Sequence, residues 1–243
     1  SVLCVVAYAT VKMDKLDFNF LDEDKLEVYK DTGPYTNIAL FGLDAREGES
    51  IESGVRSDSM MIASINNETN EVKVVSIFRD TLLKQQDGTF DKANAAYSYG
   101  GPQEAIALLN RNLDLDIKNY MSVDFKALSD VIDALGGMEL ELTAEEVVHM
   151  NNYCVETSEV TGKDYERIEP EVAGTYHLNG VQATSYARIR ATAGGDYKRA
   201  ERQRLVIEKI VEKAQKANLK TLDKIIDVVF PQVSTSFSSK DLI

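Results

Sequence analysis

Residues 57–80, SDSMMIASINNETNEVKVVSIFRD, decide what kind of sheet this chain builds. Two apolar runs, SDSMMIASI and VKVVSIFRD, flank NNETNE, whose Asn, Glu and Thr residues carry hairpin-turn chemistry. A turn that short returns the chain beside itself, so the two strands pair antiparallel and the sheet is not purely parallel. Upstream, NIALFGLD (37–44) reads as a buried strand running into a loop at Asp44, followed by the polar loop GESIESG. Downstream, helical periodicity takes over at PQEAIALLNRNLDL, with Pro102 suited to a first turn. A second helix is predicted in DFKALSDVIDALGG, where Phe125, Leu128, Val131, Ile132 and Leu135 recur at helical spacing until Gly136 and Gly137 stop it. MELEL alternates as a strand does, and 143–176 reads as a polar helical excursion with loops. QATSYARIR fits either a helix or a strand and is broken by Gly194 and Gly195. From Tyr197 to about Leu219 a long amphipathic helix is predicted, with Leu205, Ile207, Ile210, Val211 and Ala214 as its apolar stripe. Strands interleaved with helices on a mixed, partly antiparallel sheet predict a layered α/β domain.

Composition narrows the function classes. The 243 residues carry a formal net charge of -13, which disfavours a general nucleic-acid binder, since such proteins need a basic face. Cys4 and Cys154 are too few for a disulfide framework, and His149 and His177 lie far apart, so a Cys/His or paired-His chemistry has little support. Val2–Val11 is a mostly apolar run of ten, about half of the ~20 residues a spanning helix needs. It fits the end of a membrane anchor or a short buried element equally well. Residues 12–36 are polar and acidic, end in a Gly-Pro turn signal, and read as a connector.

Against that acidic background, YARIRATAGGDYKRAERQR (186–204) packs Arg188, Arg190, Lys198, Arg199, Arg202 and Arg204 against only Asp196 and Glu201. Arg188 and Arg190 are two apart, so an extended backbone would point both to one side. Arg199, Arg202 and Gln203 stand at i, i+3 and i+4 and share a helix face. Polar Arg/Asp pairs also follow apolar strands at GLDAR (Asp44, Arg46), VRSDS (Arg56, Asp58) and IFRDT (Arg79, Asp80). Each pair alone is explained by a surface ion pair worth little, and the helical arginines alone by a solvated face with intrahelical pairing. Repetition favours a common purpose. Guanidinium forks match phosphate oxygens two at a time, and Mg²⁺ takes one or two carboxylates plus phosphate oxygens. Asp44 and Asp58 are the carboxylates suited to that metal.

The ordered set NIALFGLDAR, VRSDSMMIASIN, VVSIFRDT, KANAAYSYGG, VDFKALSDVIDALGGMELEL, YHLNGVQATSYARIR and DYKRAERQR resembles the LytR-CpsA-Psr family of bacterial cell-wall enzymes, from about Asn37 to the C-terminus. The resemblance implies a layered α-β-α domain around a mixed sheet, with a hydrophobic cavity for a polyprenyl chain. It implies a catalytic domain over 37–243 and a membrane-proximal stub and connector over 1–36, with 2–11 as the end of a signal-anchor helix. Such enzymes sit on the extracellular face of the cell membrane through a single span, mainly in Gram-positive bacteria. They move a glycopolymer (teichoic acid, capsule or similar) with its phosphate from a polyprenyl-pyrophosphate carrier to peptidoglycan. By that similarity Asp44 and Asp58 hold Mg²⁺, or Mn²⁺ in its place. Arg46, Arg56, Arg79, Arg188, Arg190, Arg199, Arg202 and Gln203 face the pyrophosphate, and Asp58, Arg79, Arg188 and Arg190 carry the chemistry. Two departures are visible: Lys198 stands where the family commonly has glycine, and Phe78 where proline is usual, while Asp196 keeps one acid of a common pair.

The reaction so implied is an in-line attack by a peptidoglycan hydroxyl on the sugar-linked phosphorus, with polyprenyl phosphate leaving. Phosphoryl transfer asks the protein mostly for positioning and charge stabilisation. Asp58 is the preferred acceptor of the hydroxyl proton. Two other readings use the same residues: a module that binds the lipid-linked glycan without turning it over, and a hydrolase in which water replaces the acceptor.

Overall fold

The computed structural model describes residues 12, 15–29, 32–43, 57–69 and 71–238. They divide into two compact units, one drawn from residues up to Asp124 and from Val233 onward, the other from Phe125–Gln232. Each unit has its own buried core.

The first unit is a six-stranded mixed sheet in the order β1 (Asp17–Phe18), β10 (Ser234–Thr235), β7 (Asn119–Asp124), β2 (Tyr35–Leu43), β3 (Ser57–Asn66), β4 (Val72–Ile77). β3 and β4 pair antiparallel as the hairpin reading requires, and Asn66 Oδ1 accepts from the Glu68 and Thr69 amides to shape the turn. β2 pairs antiparallel with β3 and parallel with β7, which makes the sheet mixed. A small hairpin, β5 (Leu82–Lys84) with β6 (Phe90–Lys92), follows β4 and leads into helix α1 (Ala95–Leu113). α1 bends at Gly100 and Gly101, where Gly101 takes a φ of 61° that residues with a side chain rarely adopt. Pro102 then opens the second segment, as a proline tolerates a first turn.

Ala105, Ile106, Leu108 and Leu109 of α1 share a buried cluster with Ala39, Phe41 and Leu43 of β2 and Met60 and Ile62 of β3. Phe41 and Tyr97 meet edge to face at 5.1 Å, and the Tyr97 hydroxyl lies 3.0 Å from Ser122 Oγ, so its polar end is satisfied inside the core. Residues 12–36, read as a connector, are partly built into this unit. Asp17–Phe18 pairs with β10, and Leu26 is fully buried, its carbonyl accepting from Asn110 Nδ2 at 2.8 Å. The apolar Leu16 and Leu26 within the acidic run find core positions; their isolation hid them from a reading based on local polarity.

The second unit sets the two-stranded antiparallel pair β8 (Met138–Leu142) and β9 (Gly174–Leu178) among helices α2 (Phe125–Ala134), α3 (Ala144–Thr161), α4 (Gly180–Arg188), α5 (Gly195–Gln215) and α6 (Leu219–Val229). β8 alternates as its sequence predicts: Met138, Leu140 and Leu142 turn into a core with Val147, Met150 and Cys154 of α3 and Val181, Ala183, Tyr186 and Ala187 of α4. The ambiguous 182–190 segment is helical up to Arg188, because Asn179 and Gln182 form a capping box that starts α4. Thr143 and Glu146 form another at the start of α3, an 18-residue helix that makes up the helical part expected in the polar 143–176 segment. The long helix is present, but its buried residues are Arg199, Ala200, Arg202 and Val206, whereas Val211 of the expected stripe is exposed. The fold is mixed α/β, with a mixed parallel and antiparallel sheet.

Candidate functional site

In the first unit the β3–β4 ladder builds the site. Met60 faces Ile77, and two further steps along antiparallel strands bring Asp58 opposite Arg79. Arg79 NH1 donates to Asp58 Oδ1 at 2.6 Å, with both side chains about a fifth exposed (23% and 22%). Such partial burial strengthens a charge-assisted bond while leaving the pair open to a ligand. The turn carrying Arg79 is fixed from the other side: the Asn94 amide donates to the Arg79 carbonyl at 3.1 Å and the Ala93 amide to the Thr81 carbonyl at 2.8 Å. Asp80 takes Lys92 Nζ at 2.6 Å and lies 3.7 Å from Arg79 Nε. Two cations and two carboxylates therefore alternate at this end of the sheet. Asp44, Arg46 and Arg56 lie outside the described residues.

In the second unit the arginine segment is divided among three settings. Arg188 ends α4, so the extended backbone assumed for Arg188 and Arg190 does not hold at this residue. Its guanidinium lies 4.4 Å from the Phe125 ring centre and 5.8 Å from that of Tyr153, donating to Thr157 Oγ1 and Glu156 Oε2 at 2.9 Å each. A guanidinium stacked on an aromatic ring and hydrogen-bonded at its edge has a fixed plane. Arg190 follows the helix end, and its Nε lies 3.5 Å from Asp196 Oδ1. Arg199 NH2 approaches the same oxygen at 3.3 Å, so one carboxylate serves two arginines, at ion-pair distance and without a hydrogen bond to that oxygen among the described residues.

The third setting is interior. Arg202 is 5% exposed; its Nε donates to Glu146 Oε1 at 2.9 Å, NH1 to the Ile189 carbonyl at 3.2 Å and NH2 to Thr192 Oγ1 at 2.7 Å. Burial, then the Glu146 charge, push the phenol of neighbouring Tyr186 above its ordinary value. Gln203 is half-buried on the same helix. Lys198 pairs with Glu201 at 2.7 Å, the intrahelical contact that a solvated helix face would make. Cys154 is buried and its thiol is pushed up by that burial, which leaves it poor in thiolate and unsuited to nucleophilic chemistry. Cys4 lies outside the described residues.

The second unit thus contains partners that sequence spacing did not reveal: Phe125, Glu156 and Thr157 around Arg188, Asp196 between Arg190 and Arg199, and Glu146 and Thr192 around Arg202. Asp196 alone had a local signal, its place four residues after Thr192 in a run of cations. Thr192 is ten residues from Arg202, and Glu156, Thr157, Glu146 and Phe125 lie more than thirty residues from the arginines they meet and carry none. Among the described residues no group of three or more His, Cys, Asp or Glu side chains forms a metal cage. Asp58, a carboxylate beside an arginine, fits an ion that takes most of its ligands from phosphate oxygens and water, as Mg²⁺ does.

The chain is similar to known proteins. The LytR_cpsA_psr family profile matches residues 4–243. A polyisoprenyl-teichoic acid–peptidoglycan teichoic acid transferase, TagU of Enterococcus faecalis, is 32% identical over 209 residues, covering 85% of this chain and 63% of its own length. The chain therefore spans less than two thirds of that relative. The crystal structure of protein gbs0355 from Streptococcus agalactiae superposes with a TM-score of 0.68 at 29% identity, over 88% of this chain and 74% of that one. TagT with bound octaprenyl pyrophosphate, a Bacillus subtilis protein, shares the fold at a TM-score of 0.59 and 21% identity, over 84% of this chain and 78% of its own. With the profile running nearly end to end and both solved folds agreeing, the chain belongs to the LytR_cpsA_psr family.

Proposed function

We propose that this chain transfers a glycopolymer, with its phosphate, from a polyprenyl-pyrophosphate carrier to peptidoglycan. The observation that carries the reading is the half-buried Asp58–Arg79 pair at the end of the β3–β4 ladder, in a chain of this family that also holds oriented guanidiniums at Arg188, Arg190 and Arg199. An acceptor sugar hydroxyl attacks the sugar-linked phosphorus, the bond from that phosphorus to the bridging oxygen breaks, and polyprenyl phosphate leaves with the electron pair. The hydroxyl proton passes to a carboxylate or to a substrate oxygen. In this reading Arg79, Arg188, Arg190 and Arg199 are assigned to the pyrophosphate, since fixed cations stabilise charge that develops on phosphoryl oxygens. Gln203 is assigned to the same substrate, as are Arg46 and Arg56.

Mg²⁺, when bound by Asp58 with Asp44, supplies charge neutralisation on the pyrophosphate oxygens. Asp58 is also the residue we assign to receive the hydroxyl proton. The carrier lipid calls for an apolar cavity and for work at a membrane, which we place on the extracellular face of the cell membrane. Among the described residues no helix is long and apolar enough to cross a membrane, and the anchor we assign to 2–11 lies outside them.

The test is a product assay with a short polyprenyl-pyrophosphoryl sugar, with and without Mg²⁺ and a peptidoglycan oligomer. Metal-dependent appearance of the sugar phosphate on the oligomer is the expected result. Release of free sugar phosphate whether or not the oligomer is present makes the chain a hydrolase, and tight binding of lipid without any product makes it a binding module.

A further inference from the structure

Arg202 is one of the two buried arginines of the segment, with Arg199, and its surroundings describe a brace. A buried guanidinium is stable only when its charge and its donors are met, and here Glu146 meets the charge while all three nitrogens donate inside the protein. Glu146 does two jobs with its two oxygens. Oε2 accepts from the Thr143 amide at 3.0 Å to complete the cap of α3, and Oε1 takes Arg202. The other two Arg202 contacts fall on either side of Arg190, one residue before it at the Ile189 carbonyl and two after it at Thr192 Oγ1. The chain between α4 and α5 is also held by Ile189, fully buried in the core of this unit, and by the Arg190–Asp196 ion pair. It leaves α4 at Ile189 and enters α5 through Gly194 and Gly195, whose φ values of 94° and 46° lie where glycine moves most freely. Its backbone bonds include the Ile189 amide to the Tyr186 carbonyl at one end and, at the other, the Gly195 amide to the Thr192 carbonyl and the Tyr197 and Lys198 amides to the Gly194 carbonyl.

We infer that Arg202 and Glu146 are positioning residues: together they tie the Ile189–Thr192 loop to the start of α3 and so set where Arg190 is presented. Arg202 was read from its helical spacing as a pyrophosphate contact. Its nitrogens are spent on Glu146 and the loop instead, and it acts through Arg190. The inference rests on the proposed function for the role of Arg190, but the brace itself is a property of the fold.

The experiment is a double-variant cycle on the full chain, with Arg190→Ala, Arg202→Lys and both together, reading kcat and KM for the short lipid substrate. Lysine keeps a charge for Glu146 but cannot reach the Ile189 carbonyl and Thr192 at once. Misplacing a catalytic cation by about an ångström lowers kcat/KM by roughly a hundredfold, and Arg202→Lys is expected to approach the Arg190→Ala loss. The double variant should be no worse than Arg190→Ala alone, since the second change acts through a side chain already gone. Losses that multiply show that Arg202 meets the substrate itself and overturn the inference. Glu146→Gln leaves the buried Arg202 charge unmet and should also lower kcat/KM, and full activity in that variant counts against the brace. Amide hydrogen exchange at 190–194 supplies a readout without substrate: faster exchange in Arg202→Lys at an unchanged global melting temperature supports the brace, and unchanged exchange overturns it. If the wild-type chain neither binds nor turns over the lipid, the functional reading fails, and exchange alone then decides the brace.

Discussion

Arg79 and Arg188 are both arginines assigned to one substrate, and they are held in opposite ways. Arg79 is placed by a β-ladder: its partner Asp58 follows from the register of two neighbouring strands, 21 residues apart across a single hairpin. Arg188 is placed by tertiary packing: the end of a buried helix sets its backbone, and Phe125, Glu156 and Thr157 from two other helices fix its plane. A ladder specifies a pair of residues almost automatically once the strands are aligned. A helix end specifies only a starting point, and the side chain's final direction depends on whatever packs around it.

Breaking the ladder pair should have the larger effect. Arg79→Ala removes a fixed cation from the developing charge and is expected to lower kcat by about 100- to 1000-fold, the scale seen for loss of one oriented donor. Lipid binding should fall much less, and equal losses in binding and turnover would show that Arg79 serves only the ground state. Arg188→Lys keeps the charge but loses the planar stack on Phe125 and the two-ended hydrogen bonding. The expected loss is about 10- to 100-fold in kcat/KM, and full activity in that variant would mean that packing does not set this cation's geometry.

A third test concerns the helices that hold the second region. Asp130 on α2 is buried, faces Lys163, Lys126 and Gln232, and lies near Asp133 through their shared lysine. Burial alone would raise its carboxyl, but the hydrogen bonds from Lys163 and Gln232 and the lysine charges hold it below its ordinary value of 3.8. Its contribution to stability is therefore complete above that value and is lost as pH falls through the lowered folded value. Burial would likewise lower the Lys163 ammonium, yet Asp130 and Asp133 raise it above 10.5, so its contribution persists below that value and is lost as pH rises through the raised one. Asp130→Asn should cost about 1.5–3 kcal/mol at neutral pH and flatten the acid limb of a melting-temperature profile. An unchanged acid limb would remove this pair from the account. The smallest effect is expected from Thr143→Ala, which deletes the α3 cap hydroxyl for about 1 kcal/mol. Denaturant unfolding measures that change, and transfer activity should survive it if the Glu146–Arg202 contact holds.

The same contrast explains what the amino-acid sequence discloses. SDSMMIASI, NNETNE and VKVVSIFRD announce a hairpin by two apolar runs and turn chemistry, and the Asp58–Arg79 pairing follows from counting along it. β7 and its parallel pairing with β2 are not visible locally, because NYMSVD is short and its partner lies about 80 residues earlier. β10 is two residues long and enters the sheet between β1 and β7, an arrangement with no local signature at all. The cation-rich run 186–204 signals anion chemistry by composition alone. Its division into a stacked Arg188, a shared Asp196 and an interior Arg202 depends on carboxylates and an aromatic ring contributed by α2 and α3, which only the folded chain brings near.

The most direct test of the central claim is single-turnover transfer by the wild-type chain and by Asp58→Asn across a Mg²⁺ titration, with lipid binding measured alongside. The account predicts that the wild type saturates with Mg²⁺, and that Asp58→Asn keeps its lipid binding but loses both the rate and the metal response. Turnover by Asp58→Asn at the wild-type rate, with the wild-type dependence on Mg²⁺, would contradict it.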